Sequence, residues 1–375
     1  MRLTFSNILP AIQKLTRSKY IASAFTLSKK NDFHNSINLL DVYQGETSRI
    51  LTLLGNKTQS VNHLIINKKI PIENLSIQLV DNKYSLPWFI REKAVDLLIK
   101  SDLSKSYNGA TLRVNSIKKI GEQCLRFYFS YSCYYDYVVT NQSRDERLFR
   151  GLTVRSALEP GPFLNPLEAS LPENHLGLSS LFVTTDGWTP LFLRSKRAAD
   201  FAGSLSPSIS GAANVDTFSD KELNLSFKNW FDHEMHEEVS PGLNLDQFAS
   251  IDLIGISREL IRLGKPEVFF IAQINISKQQ FESLHLRDNG HSKPVKWWEI
   301  SSTGSPIELN LSENVRHIWI NLHDLFSGGR YQIKSHDGLL SIFIDDERYL
   351  LSESLSANLA FAEAFTNGID TDAMC

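Results

Sequence analysis

Residues 230–243 read WFDHEMHEEVSPGL and set Glu234, Glu237 and Glu238 at helical spacing, just ahead of a chain-breaking Pro241-Gly242. Positions three and four apart share one helix face, so the three carboxylates are expected to converge on one spot. Like charges at that distance repel one another. They are tolerated in full solvation, or around a divalent cation that takes hard oxygen ligands. The second case is the chemistry of metal-assisted phosphate hydrolysis, which neutralises charge on phosphoryl oxygens and holds an activated water in line.

Other residues suit the same chemistry. Arg194, Lys196 and Arg197 precede the acidic stretch, and Arg258, Arg262 and Lys265 follow it. Such cations grip phosphates, and Trp188, Trp297 and Trp298 offer flat faces to a base or sugar. Each has a plainer reading beside it. The carboxylates suit a solvated helix face, and Arg258 and Arg262 suit pairing with Glu259 or Glu267. The tryptophan pair suits core packing. Glu234, Glu267 and Glu299 are all open as the general base. His233 and His236 stand three apart, whereas zinc-binding H-E-x-x-H needs four, so zinc is not expected. No G-x-S-x-G elbow occurs, and the loop over residues 204–211 lacks the P-loop Gly-Lys-Ser/Thr ending.

The elements that must position these residues follow from pattern. Residues 178–185 (LSSLFVTT) are a buried-strand run, Asp186-Gly187 is a turn signal, and residues 189–194 return, which predicts a hairpin. A small-residue loop over 203–217 leads into a helix expected from 219 to 239, with Phe227, Trp230, Phe231 and Met235 as its apolar stripe. Strands are expected at 251–256 and 267–276, a β-rich piece at 296–319, and a hairpin at 331–344 turning at His336-Asp337-Gly338. A last amphipathic helix covers 350–365, where Leu351, Leu355 and Leu359 offer a homodimer contact. Upstream, residues 36–54 and 87–101 read as helical or mixed, and 111–117 and 124–140 as strands. The Pro/Gly-rich passage at 159–172 places a domain boundary, giving residues 1–172 and 173–375. The basic N-terminus, with no acidic residue before position 31, reads as a helix over 8–25 rather than an organelle presequence.

Hairpin, glycine-containing loop, acidic helix and further strands, in that order, resemble the Nudix fold. His233-Glu234-Met235-His236-Glu237-Glu238-Val239 is similar to the Nudix box helix, Arg-Glu-aliphatic-any-Glu-Glu-any-Gly-aliphatic. The resemblance covers about residues 176–319 and implies an α+β chain whose second domain is a Nudix-like α/β/α sandwich with a mixed sheet, after an N-terminal α+β domain. It implies hydrolysis of a nucleoside diphosphate linked to another group. Mg²⁺ or Mn²⁺ would be held by Glu234 and Glu238, with Glu237 supporting, and a phosphate by Arg194 or Arg197. Gly211 stands as the loop glycine and Asp216 for the upstream glutamate. The box departs from the family at His233, in place of arginine, and at Ser240, in place of glycine. The gap from Gly211 to the helix is also longer. Those departures keep a second reading open: a Nudix-fold nucleotide-binding or sensor module without turnover. A third leaves the activity to the N-terminal domain. The phrase GISRELIRLGKPEVFF (residues 255–270) resembles a group of bacterial Nudix-like proteins that carry an extra N-terminal domain.

Bulk properties set the outer limits. A chain of 375 residues has length for two domains and a sizeable core. A net charge of −3 gives no bias toward polyanions, so general nucleic-acid binding is disfavoured. No run of about 20 apolar residues spans a membrane. Cys124, Cys133 and Cys375 form neither a disulfide framework nor a metal-ligand spacing, which fits a reducing cytoplasm.

Overall fold

The computed structural model describes residues 38–101, 108–149, 151–195, 201–218, 225–240, 242–288, 314–336 and 338–366. The expected helix over 8–25 lies outside them, as do Lys196, Arg197, Trp297, Trp298 and Glu299. The chain is α+β, as its patterning implies. In order it forms β1 (Ile50–Leu53), β2 (Asn56–Asn62), β3 (Ile70–Pro71), β4 (Leu75–Leu79), helix α1 (Trp88–Lys100), β5 (Ala110–Gly121) and β6 (Cys124–Cys133). There follow β7 (Gly177–Val183), β8 (Trp188–Arg194), β9 (Leu205–Ser206), β10 (Ile209–Ala212) and α2 (Phe227–Glu238). The rest is β11 (Phe248–Glu259), β12 (Lys265–Ile274), α3 (Lys278–Asp288), β13 (Asn314–Asn321), β14 (Gln332–His336), β15 (Leu339–Ile344), β16 (Glu347–Leu350) and α4 (Glu353–Thr366). No helix among the described residues is long and apolar enough to cross a membrane.

The central sheet is mixed, with order β1-β2-β11-β12-β7-β10 and β3 also on β11. β7 runs parallel to β12 and antiparallel to β10. Alternation along β7 sends Leu178 and Phe182 to one face and Leu181 to the other. On the first face lies α2, whose Phe231 meets Phe182 and Phe270 edge-on or tilted. On the second lies α4, with Phe361 against Phe269. A sheet of β4-β6-β5 closes over α2 through Phe127, 4.6 Å from Phe227. A sheet of β14-β15-β16 supplies Leu340 and Ile342 to the cluster around α4.

Several expectations shift. The strand expected to reach residue 140 ends at Cys133, and Tyr134–Tyr137 and Val138–Gln142 turn helical. Packing overrides β-propensity there, because Val138 and Val139 are buried against Ile90, Leu97 and Leu98 around α1. The hairpin turn forms at Asp186-Gly187, where Thr184 N donates to Trp188 O (2.9 Å). Its two strands then part, β7 into the central sheet and β8 into a sheet with β9 and β13. Backbone pairing also crosses the 172/173 boundary: Asn62, Val61 and Ser60 of β2 register with Ser257, Arg258 and Glu259 of β11. Leu355 and Leu359, expected at a dimer contact, are fully buried inside this chain, and Leu351 nearly so. They pack beneath the β14-β15-β16 sheet and are closed to a second copy.

Candidate functional site

α2 starts at Phe227 because Ser226 caps it, its side chain accepting from Asn229 N (3.0 Å). Phe227, Trp230, Phe231 and Met235 recur at helical spacing and are all buried. Burial of each large side chain contributes roughly 1.5–3 kcal/mol, so the stripe fixes which way the carboxylates face.

Glu234 faces inward. It is only 7% exposed, and the indole Nε1 of Trp230, one turn earlier, donates to its Oε1 (2.9 Å). Its carboxylate rests on β10 at Gly211: a Cβ there would stand 2.1 Å from Glu234 Cδ and 2.2 Å from Oε1. Gly211 is therefore required by close approach. One turn on, Glu238 Oε2 accepts from the backbone N of Ser210 (2.6 Å). Two of the three glutamates thus meet one strand at consecutive residues, and that strand is the edge of the central sheet.

Glu237 does not join them. Its side chain is 44% exposed and lies 3.5 Å from His233 Nε2, an i,i+4 pair on the outer face. His236 is occupied elsewhere, with Nε2 donating to Leu243 O (2.7 Å) and Nδ1 3.6 Å from Asp232. The two histidines take different partners. The helix geometry that equates i+3 with i+4 holds for backbone positions; burial of the 230/234 edge turns Glu237 out. Among the described residues no three His, Cys, Asp or Glu side chains are grouped to hold a metal ion. The donor chemistry that remains, two carboxylates beside one strand, fits Mg²⁺, which usually takes one or two carboxylates and keeps its waters.

The cations divide. Arg194 ends β8, half-buried, in register with Asn314 of β13. Arg258, Arg262 and Lys265 are not positioned as phosphate clamps. Arg258 is buried, donating to Gly264 O (2.7 Å) and Asn165 O and lying 3.8 Å from Glu159. Arg262 Nε is 2.6 Å from Glu259, and Lys265 Nζ is 3.8 Å from Glu267. Glu267 is separated from Glu234 by the sheet itself. It accepts from Ser179 Oγ (2.6 Å), and Ser179 shares its strand face with Leu181 on the α4 side. Trp188 carries Lys278 Nζ over one face of its ring at 4.4 Å. Asp216 is exposed in a single-turn helix, Val215–Phe218. Burial, and then Asp136, pushes the Cys133 thiol up to about 12, away from the thiolate that a nucleophile needs.

No protein-family model and no curated protein matches this chain. Among solved structures, it is similar to DR0079 from Deinococcus radiodurans at 11% identity, over 41% of this chain and 71% of that one, with a TM-score of 0.25.

The plainer reading of Arg262, a pairing with Glu259, holds, but the burial of the whole group around it was not anticipated. Glu259, Arg262, Lys265 and Glu267 sit at the β11–β12 corner with little or no exposure. Their signal is legible in retrospect: charged residues end two long apolar strands, IDLIGIS and VFFIAQI, that leave no solvent-facing side.

Proposed function

We propose that this chain is a Nudix-type hydrolase, dependent on Mg²⁺ or Mn²⁺, acting on a nucleoside diphosphate linked to another group in a reducing cytoplasm. The observation that carries the reading is the convergence of Glu234 and Glu238 on Ser210 and Gly211 of β10. Those two glutamates would hold the metal, and Arg194 or Arg197 a phosphate, while Glu237, turned to the outer face, takes no place beside them. Bound there, a divalent ion supplies charge neutralisation at the phosphoryl oxygens. The chain's own part is orientation. Trp230 fixes one oxygen of Glu234, Ser210 N fixes one oxygen of Glu238, and the apolar underside of α2 keeps both from swinging away.

A second reading rests on a specific observation. Glu237 is paired outward with His233, which favours a nucleotide-binding or sensor module without turnover. One experiment separates the two. Release of phosphate or nucleotide is followed across a panel of nucleoside diphosphate conjugates with Mg²⁺ or Mn²⁺, for wild type and for Glu234→Gln/Glu238→Gln. Metal-dependent turnover lost in the double variant is the expected result. No turnover, with nucleotide still raising the melting temperature, selects the sensor. If neither ions nor nucleotides shift the melting curve, both readings fall.

A further inference from the structure

The β11–β12 corner holds a concentration of charge that the α2 site does not use. Glu259 ends β11, Arg262 lies in the turn, and Lys265 and Glu267 open β12. Against them packs the first turn of α4, which brings Glu353 and Ser354. Glu259, Glu267, Glu353 and Lys265 are each at most 2% exposed. Arg262 is partly covered by Phe201, its guanidinium carbon 5.3 Å from that ring.

The contacts run from element to element. Glu259 is met by Arg262 Nε at 2.6 Å and by Ser354 Oγ at 3.4 Å. Glu267 is met by Ser179 Oγ at 2.6 Å from β7 and by Lys265 Nζ at 3.8 Å. Glu353 accepts from Gln59 N (2.8 Å) and Ser60 Oγ (2.7 Å) of β2. Farther along lie His175 and Glu173, the latter accepting from Thr111 Oγ1 and His175 N (both 2.8 Å). Strand register makes Glu267 the cross-strand partner of Ser257, one pleat from Glu259, so both carboxyls lie on the α4 face. The helix has no freedom to draw back at its other end, where Phe361 lies so close to Gly255 that a Cβ would stand 2.4 Å from its ring.

Among the described residues, the charges in this enclosure do not balance. Three carboxylates (Glu259, Glu267, Glu353) face two cations (Arg262, Lys265), and Glu173 adds a fourth carboxylate at the margin. An uncompensated buried carboxylate is costly, and two carboxyls in one site relieve the cost by sharing a proton. We propose that Glu259 and Glu267 form a proton-held latch: one proton kept between them fastens the first turn of α4 to the β11–β12 corner, and its loss loosens that end of the helix.

The electrostatics of the corner point the same way. Burial pushes Glu259 up, to about 8, and Glu267 adds to the rise against Arg262 and Lys265. Burial pushes Glu267 up as well, but Lys265, Arg262 and hydrogen bonds from Glu259 and Ser179 outweigh it and leave it lowered. Glu353 is raised by burial to about 7 against its bonds from Ser60 and Gln59. A folded pKa above the unfolded one means that the folded chain holds the extra proton. The latch is therefore complete below the ordinary value of 4.5 and is lost as pH rises to about 8.

The test is hydrogen exchange of the full-length protein by mass spectrometry, at pH values from 5.5 to 9, corrected for intrinsic exchange. Peptides covering α4 are compared with peptides covering α1. The opening constant of α4 should rise by up to about tenfold per pH unit up to about pH 8, while α1 stays level. Glu259→Gln keeps the shape but replaces one acceptor oxygen with a donor that cannot titrate, so it should flatten the α4 profile above about pH 7, where Glu353 no longer contributes. Wild-type α4 protection that is independent of pH overturns the proposal without any variant. So does a pH dependence that Glu259→Gln and Glu267→Gln both leave intact.

Discussion

At the scale of the residue, the contact between Gly211 and Glu234 says most about the carboxylate helix. The backbone of Gly211 is not in the left-handed region, so any residue could adopt it. Only the carboxylate above it opposes a side chain. Gly211→Ala should cost about 1–3 kcal/mol through overpacking. Pairing it with Glu234→Ala should recover much of that loss, a coupling that a double-mutant cycle in urea reads directly. Trp230→Phe keeps the buried ring but removes the donor to Glu234, and should cost roughly 1.5–3 kcal/mol for a bond to a charged group. It should also weaken Mn²⁺ binding, measured by titration of the metal's EPR signal. A helix face that is simply solvated would leave both substitutions within about 0.5 kcal/mol of wild type. The spacing of Glu234 and Glu238 was legible in the sequence because i,i+4 geometry is local. The outward turn of Glu237 was not, because it depends on which edge of α2 the two flanking sheets bury.

At the scale of the element, α4 shows where pattern stops being informative. Its leucines recur at helical spacing, which suggests one apolar face and an open one. Instead, residues 353–362 are all buried, between the central sheet and the β14-β15-β16 sheet. The second cover comes from a hairpin whose own sequence carries no mark of its destination. A fainter signal existed in the small residues around the whole helix, Ser354, Ser356, Ala357, Ala360 and Ala362, which permit close packing on every side. Leu359→Ala should therefore behave as a core truncation, costing about 2–5 kcal/mol in chemical denaturation. Its sedimentation behaviour should match that of the wild type. A change of oligomeric state with little loss of stability would return the leucines to an interface.

At the scale of the whole molecule, the succession of strands and turns along the C-terminal part was legible in sequence; their order in the sheets and the relation between the two halves were not. Pro- and Gly-rich composition at 159–172 reads as a linker because composition carries no information on what the segment touches. In the fold, Asn165 O and Ser170 Oγ both accept from Arg258, and Arg155 of the N-terminal half donates to Leu260 O (2.9 Å) at the β11–β12 turn. Glu159 lies within 3.8 Å of Arg258 as well. Removing residues 1–172 would strip β1, β2 and β3 from the central sheet, leaving β11 as a bare edge with Arg258 deprived of Glu159, Asn165 and Ser170. Loss of one member of a buried pair is costed at about 3–5 kcal/mol, a large share of the roughly 5–15 kcal/mol that holds a domain folded. The fragment 173–375 should therefore fail to fold when expressed alone. The full chain should unfold in one transition, with fluorescence and far-UV circular dichroism midpoints that coincide. A fragment with native-like dispersion in its amide NMR spectrum, or two separated transitions in the full chain, would show that the halves stand independently despite the strands they share.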